Sequence, residues 1–273
     1  MWRASKKYTG ATRSINMSLH EIIFQNCQER AQKILPISNG AFAKVFLITL
    51  KNEHKIIAKT SAPNHSLFIE CEMLSYLKEK TKLPVPTILH SRRNVILMEY
   101  LGENKALSKS SQLIAADYIS QLHSITHYKF GFNRETAIGG LPQKNQFNKS
   151  WVDFFRNMRL LHMADEAYNY GSISTQVRHK IDTFCQKLES RIGEPTQPSL
   201  IHGDLWSGNI LSLQNKINGF IDPAIYFADH EIELAFITLF STFDQIFFSR
   251  YQEQLNIKPG FFKERRHIYN LYP

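Results

Sequence analysis

Ile201-His202-Gly203-Asp204-Leu205-Trp206-Ser207-Gly208-Asn209-Ile210 is the stretch on which the reading of this chain turns. Two short apolar runs, Leu200-Ile201 and Ile210-Leu211, bracket a loop of spacing H-x-D-x4-N, so the flanks read as strands that fix both ends of the loop. A loop of this length can curl until a carboxylate and an amide oxygen face one phosphate from two sides. Thirteen residues after Asn209, Ile221-Asp222-Pro223 puts a further carboxylate at the end of the next apolar run. Asp, Gly and Asn are also the commonest turn residues, so the loop alone does not separate a site from a turn.

The first hundred residues weigh that choice. Ala43 to Leu50 and Lys55 to Thr60 are rich in β-branched and aromatic residues and flank a polar turn, the pattern of two antiparallel strands. Residues 66–80 switch to helical spacing, with Leu67, Glu70, Leu74 and Leu77 on one stripe. Pro84 and Pro86 end that helix, and Val85 to Leu89 and Val95 to Tyr100 read as two more strands. Glu70 on an apolar stripe is costly unless paired, and Lys59, at the end of its strand, is the obvious cation. Ser38-Asn39-Gly40 precedes the first hairpin as a candidate phosphate-covering turn centred on Gly40, although a plain hairpin turn explains it equally well. Glu99, Tyr100 and Leu101 stand where the texture changes, candidates for a hinge whose backbone receives a planar base.

Beyond Leu101 the chain is mostly helical. Amphipathic or aromatic-rich segments are expected over 110–126, 150–169, 174–191, 230–240 and 243–254, with another helix beginning near Ser18. Gly139 to Asn148 reads as a long polar loop, and Gln214 to Lys216 as the turn of a second hairpin. Trp206 and the loop from Gly139 to Asn145, which includes Gln143, are candidates for lining a substrate site. Phe154, Phe155, Phe243, Phe247 and Phe248 read as core, and His202 as an organiser of loop backbone. The expected fold class is α+β: a two-lobed fold with a small antiparallel sheet carrying one helix, then a larger helical lobe. Its boundaries are 1–17 for a disordered extension, 18–100 for the β-rich lobe and 101–273 for the helical lobe.

Composition limits the partners. The chain has 273 residues, 43% hydrophobic and 21% charged, which excludes wholesale disorder. Its net charge is +9, but Arg3, Lys6, Lys7 and Arg13 supply four of those charges in a segment without acids, and the rest is spread thinly. That is no phosphate-tracking stripe, so no nucleic acid is expected. No run approaches the ~20 apolar residues of a bilayer span, so no membrane is expected either. Three scattered cysteines without CxxC spacing and no apolar leader point to a reducing, cytoplasmic compartment. Eleven histidines show no metal-ligand spacing.

The H-x-D-x4-N spacing is that of the protein-kinase catalytic loop, in which the Asp takes the proton of the substrate hydroxyl and the Asn holds magnesium. Ile56-Ile57-Ala58-Lys59 likewise resembles the lysine-bearing strand of kinases, and Asp222 stands where a second magnesium ligand would. A narrower resemblance is carried by His202-Gly203-Asp204-Leu205-Trp206-Ser207-Gly208-Asn209, by Asp222-Pro223-Ala224-Ile225-Tyr226 and by Glu231-x-Glu233-Leu234-Ala235. Phe130-Gly131-Phe132, Gln143, Asn145, Trp151, Arg159-Leu160 and Tyr269-Asn270-Leu271-Tyr272 extend it over nearly everything after Met17. These residues resemble the fructosamine kinase (ketosamine-3-kinase) family, whose fold is similar to that of aminoglycoside phosphotransferases and protein kinases.

The resemblance implies ATP-dependent phosphorylation of the 3-hydroxyl of a ketoamine sugar on small amines or glycated proteins, which releases the adduct. By position it implies Asp204 as catalytic base and Asn209 and Asp222 as Mg2+ ligands. It further implies Lys59 on the phosphates paired with Glu70, and residues 99–101 on the adenine. Departures are Asn39-Gly40-Ala41-Phe42 where the family has paired glycines, and Ala228, His230 and Glu233 where it has Gly, Arg and Asp. The family pattern also continues with more helix past the position of Pro273, which reads as an early end. Two other readings stay open: a kinase of another hydroxylated amine, of aminoglycoside or choline type, and an inactive kinase-like binding protein.

Overall fold

The computed structural model describes residues 17–40, 42–62 and 66–272. The extension expected over 1–17 lies, apart from Met17, outside the described residues. Five antiparallel strands, β1 (Ala31–Asn39), β2 (Ala43–Leu50), β3 (Lys55–Ser61), β4 (Ile88–Arg92) and β5 (Val95–Glu99), form a sheet of order β1-β2-β3-β5-β4. Helix α1 (Leu19–Cys27) precedes them and α2 (Phe68–Lys80) is inserted between β3 and β4. Ser18 starts α1 with a capping box: its hydroxyl accepts from Glu21 N–H while the Glu21 carboxylate accepts from Ser18 N–H.

The pleat decides where Lys59 goes. Ile56 and Ala58 belong to the cluster that α1 covers with Ile22 and Ile23, together with Ile48 and Leu97. Ile57 faces the opposite cluster, where Leu67 and Cys71 at the start of α2 pack on Ile96 and Met98. Period-2 alternation puts Lys59 on that same α2 side. Leu67, Leu74 and Leu77, the expected stripe, are all buried.

The C-terminal lobe is mainly helical, built on a single large core. Helix α3 (Lys109–His123), capped by Ser108, is followed by a small hairpin, β6 (Thr136–Ile138) and β7 (Leu141–Gln143). Then come α4 (Trp151–Phe155), a π-helical turn over Arg156–Leu161, α5 (His162–Asn169), α6 (Thr175–Cys185) and α7 (Glu189–Ile192). Strand β8 (Ser199–Ile201) leads into the H-x-D loop, and β9 (Ile210–Leu213) pairs with β10 (Lys216–Phe220). Their turn residues Gln214 and Asn215 both have positive φ, the geometry that suits the twist of a tight hairpin. β11 (Tyr226–Ala228) returns to pair with β8, followed by α8 (Glu231–Leu239), α9 (Gln245–Gln252) and, after a π turn, α10 (Arg266–Tyr269). The last described residues do not trail off: Tyr269 and Tyr272 are buried in the lobe.

Three expectations shift. β1 was not expected as a strand, because it is a mostly exposed edge with Pro36 and a register irregularity there, and its half-buried residues Ala31 and Ile34 are three apart, so no alternation marks it. The strand expected over 85–89 lies at 88–92, since Pro84 and Pro86 cannot donate to a ladder. The polar loop after Gly139 is the second half of the β6–β7 hairpin, with Gly139 and Gly140 at positive φ in its turn.

Candidate active site

The H-x-D loop is built on one glycine and one buried carboxylate. Gly203 has φ 86°, and a Cβ there would collide with the Ala224 carbonyl oxygen, so another side chain is excluded twice over. The backbone N–H groups of His202 and Gly203 donate to Glu233 Oε2 and Oε1 at 3.0 and 2.6 Å. Glu233, on the first turn of α8, also bonds His123 Nε2 at 2.9 Å, and His123 Nδ1 reaches the Tyr251 hydroxyl at 2.7 Å. Burial alone would raise the Glu233 carboxyl, yet the hydrogen bond and charge of His123 and the loop donors hold it below its ordinary value. Asp204 N–H donates to His202 Nδ1, so His202 serves the backbone as expected.

Asp204 itself has few donors. Asn209 Nδ2 donates to its carbonyl and to its Oδ2 at 2.8 and 3.0 Å. Burial pushes the Asp204 carboxyl up to about 6, with the Asn209 bond opposing and the Asp222 charge adding. The loop is tied to the following hairpin, since Ile221 N–H donates to the Asn209 carbonyl. One residue on, Asp222 takes φ 52°, a left-handed conformation that a non-glycine residue holds only when its surroundings enforce it.

Across the lobes, Lys59 Nζ sits 2.7 Å from Glu70 Oε2 and 2.9 Å from Asp222 Oδ1. Burial works against the Lys59 charge, but the two carboxylates outweigh it and raise its pKa. Burial also raises the Glu70 carboxyl, with Lys59 pulling the other way, and its Oε1 has no partner. Lys59, Glu70, Asp204, Asp222 and Gly40 line one cavity of about 230 Å³ between the lobes. Phe42 and the Gly139–Gly140 tip form another wall, and a Cβ on Gly140 would meet the Phe42 ring at 2.5 Å.

Other expected residues lie outside that cavity. Glu99, Tyr100 and Leu101 stand at the lobe junction; the Glu99 carboxylate accepts from Thr87 N–H and hydroxyl, and Leu101 packs over Gly219. Asn209 is buried behind Asp204. Trp206 is 37% exposed, folded over Gly208 with its ring 5.5 Å from Phe240. Gln143 does not face the cavity: it is 1% exposed, and its amide is engaged by Thr136, Ala224 and Tyr272. Its polar character is therefore used inside the lobe rather than toward a substrate. Sequence reasoning did not find the part played by His123, which stands at the end of an ordinary amphipathic helix.

The donor set suits a hard cation held jointly with phosphate. The carboxylate of Asp222 and the amide of Asn209 offer oxygen, the ligand type magnesium takes together with substrate phosphates. Among the described residues no group of three His, Cys, Asp or Glu side chains forms a metal cage. None of the described helices is long and apolar enough to cross a membrane.

A family profile described as fructosamine kinase matches residues 15–273. A probable ketoamine kinase of Vibrio parahaemolyticus is 31% identical over 244 residues, 86% of this chain and 82% of that protein. One from Lactiplantibacillus plantarum is 28% identical over 248 residues, 88% and 86% of the two chains. Among solved structures, a candidate fructosamine-3-kinase from Haemophilus somnus superposes with a TM-score of 0.81 at 26% identity, covering 93% of this chain and 87% of its own. A streptomycin–ATP complex of an aminoglycoside phosphotransferase superposes with a TM-score of 0.60 at 18% identity over 87% and 83%, which bears on the fold alone.

Proposed function

The chain belongs to the fructosamine kinase family and is an ATP-dependent phosphotransferase acting on a hydroxyl of ketosamines, and from that premise we propose how its residues divide the work. Phosphoryl transfer needs positioning and charge neutralisation more than covalent chemistry. The observation that carries the proposal is a single cation, Lys59, held by Glu70 of α2 and by Asp222 beyond β10, at the cavity that Asp204 also lines. Lys59 neutralises nucleotide phosphate, and Glu70 keeps its ammonium in place. Asp204, with its carboxyl near neutral pKa, accepts the proton of the acceptor's 3-hydroxyl. Asn209 and Asp222 would hold Mg2+, which supplies charge neutralisation on the phosphates. Gly40 lets backbone approach the phosphates, the backbone of Glu99 to Leu101 receives the adenine, and Trp206 offers a ring at the acceptor side. The described residues then form a β-rich lobe up to residue 100 and a helical lobe from 101 that meet at this site.

The acceptor is a ketoamine of ribulosamine or fructosamine type on a small amine or a protein, and its phosphorylation leads to deglycation in the cytoplasm. A polycationic aminoglycoside would need further carboxylates. Those of Asp229, Glu231 and Glu233 are buried and engaged by Tyr269, Arg265 and His123, and apart from Lys59, Glu70, Asp204 and Asp222 the described residues of the cavity wall are uncharged. The test is magnesium-dependent ATP consumption against ribulosamine and fructosamine lysines, aminoglycosides and choline. Turnover is expected with the ketoamines; turnover confined to aminoglycosides or choline overturns the acceptor assignment.

A further inference from the structure

Something must hold Asp222 in its left-handed conformation, and the backbone two residues later shows what does. Pro223 has no N–H to give. Ala224 is buried with both of its polar groups committed: its N–H donates to the His202 carbonyl at 2.7 Å, and its carbonyl accepts from Gln143 Nε2 at 3.0 Å. Gln143 is itself fully determined, since Nε2 also donates to Thr136 Oγ1 at 2.8 Å and Oε1 accepts from the Tyr272 hydroxyl at 2.6 Å. Behind it, Asn145 donates to the same Thr136 oxygen and accepts from Arg159, whose guanidinium is buried 4.0 Å over the Tyr226 ring.

We propose that Gln143 is a positioning residue for the transfer reaction, which sets Asp222 against Lys59 by gripping the Ala224 carbonyl from the base of the β6–β7 hairpin. The inference rests on the reading of Asp222 as a magnesium ligand. Because the same hairpin carries the Gly139–Gly140 tip, the cavity wall and Asp222 are linked by one amide. Without that amide the Ala224 carbonyl is left buried and unpaired, and the segment relaxes toward an ordinary φ, drawing the Asp222 carboxylate away. Tyr272 orients the amide, so its hydroxyl acts on Asp222 at one further remove.

Gln143→Leu and Tyr272→Phe in the full chain test this. Wild type is titrated first: absence of magnesium-dependent turnover overturns the reading of Asp222, and this inference with it. With wild type active, Gln143→Leu is expected to raise the half-saturating magnesium concentration about tenfold, with the acceptor KM within about twofold. In the nucleotide-free protein it is expected to speed amide hydrogen exchange of residues 221–226, while α9 exchanges as in wild type. Tyr272→Phe moves both readouts the same way by about two- to threefold, and it decides the matter alone if Gln143→Leu does not fold. Magnesium half-saturation unchanged from wild type, or faster exchange confined to residues 136–143, overturns the proposal.

Discussion

Asp204 and Glu233 stand on either side of the Gly203 backbone, and the molecule drives them in opposite directions. Glu233 is the more deeply buried, yet its carboxyl is held below the ordinary range, because His123 and two loop N–H groups donate to it. Asp204 has Asn209 as its side-chain donor, and burial pushes it up to about 6. Burial raises both carboxyls, and the supply of donors decides which of the two ends below its ordinary value. The carboxylate of α8 is wholly committed to building the loop, while the loop's own carboxylate is left short of donors and poised to take a proton near neutral pH.

The sharpest way to break this contrast is Asp204→Asn. Turnover is expected to fall at least ~10³-fold with ATP binding retained, measured as kcat beside nucleotide titration; undiminished turnover would remove Asp204 from the chemistry. The same variant should be more stable at neutral pH. The folded-state pKa lies above the unfolded value of 3.8, so the folded state loses stability as pH rises between 3.8 and about 6, and an amide escapes that loss. A rise in Tm of a few degrees is expected in thermal melts.

Glu233→Gln should do the reverse. One loop N–H then meets an amide NH2 instead of an oxygen, a loss of about 1–3 kcal/mol. A lower Tm is expected with kcat reduced roughly tenfold as the loop loosens. Wild-type values for both would mean that Glu233 does not hold the loop. The smallest effect is in the pH profile of the wild type. kcat/KM is expected to drop as pH falls through about 6, where Asp204 protonates. The stability that Glu233 contributes is present above its unfolded value of 4.5 and is lost only as pH falls through its lower folded pKa. Activity should thus fade before circular dichroism shows unfolding, and unfolding that leads or coincides with the activity loss would contradict the ordering.

Legibility in the sequence followed the range of the interaction. The placement of Lys59 opposite Glu70 was readable because strand alternation and helical spacing each fix a face, and a carboxylate on an apolar stripe demands a cation. That Asp204 and Asn209 come together was readable from spacing within one loop. Gln143 was misread as facing a substrate: an amide in a polar, glycine-containing segment gives no sign of which carbonyl it will reach, and its partners at 224 and 272 are far along the chain. β1 escaped because a mostly exposed edge strand, with only Ala31 and Ile34 half-buried, carries no alternation.

What the chain's order of residues determined unaided was the two-lobed α+β plan and a set of candidate groups for a phosphate site, because periodicity and short loop spacing are local properties. Tertiary structure alone decided how each group behaves. Glu233 became a scaffold through a histidine 110 positions away, and Asp222 gained its partner from the other lobe 163 positions away. Proton affinity and backbone strain depend on desolvation and on donors brought in from distant segments, and those exist only once the chain has closed on itself.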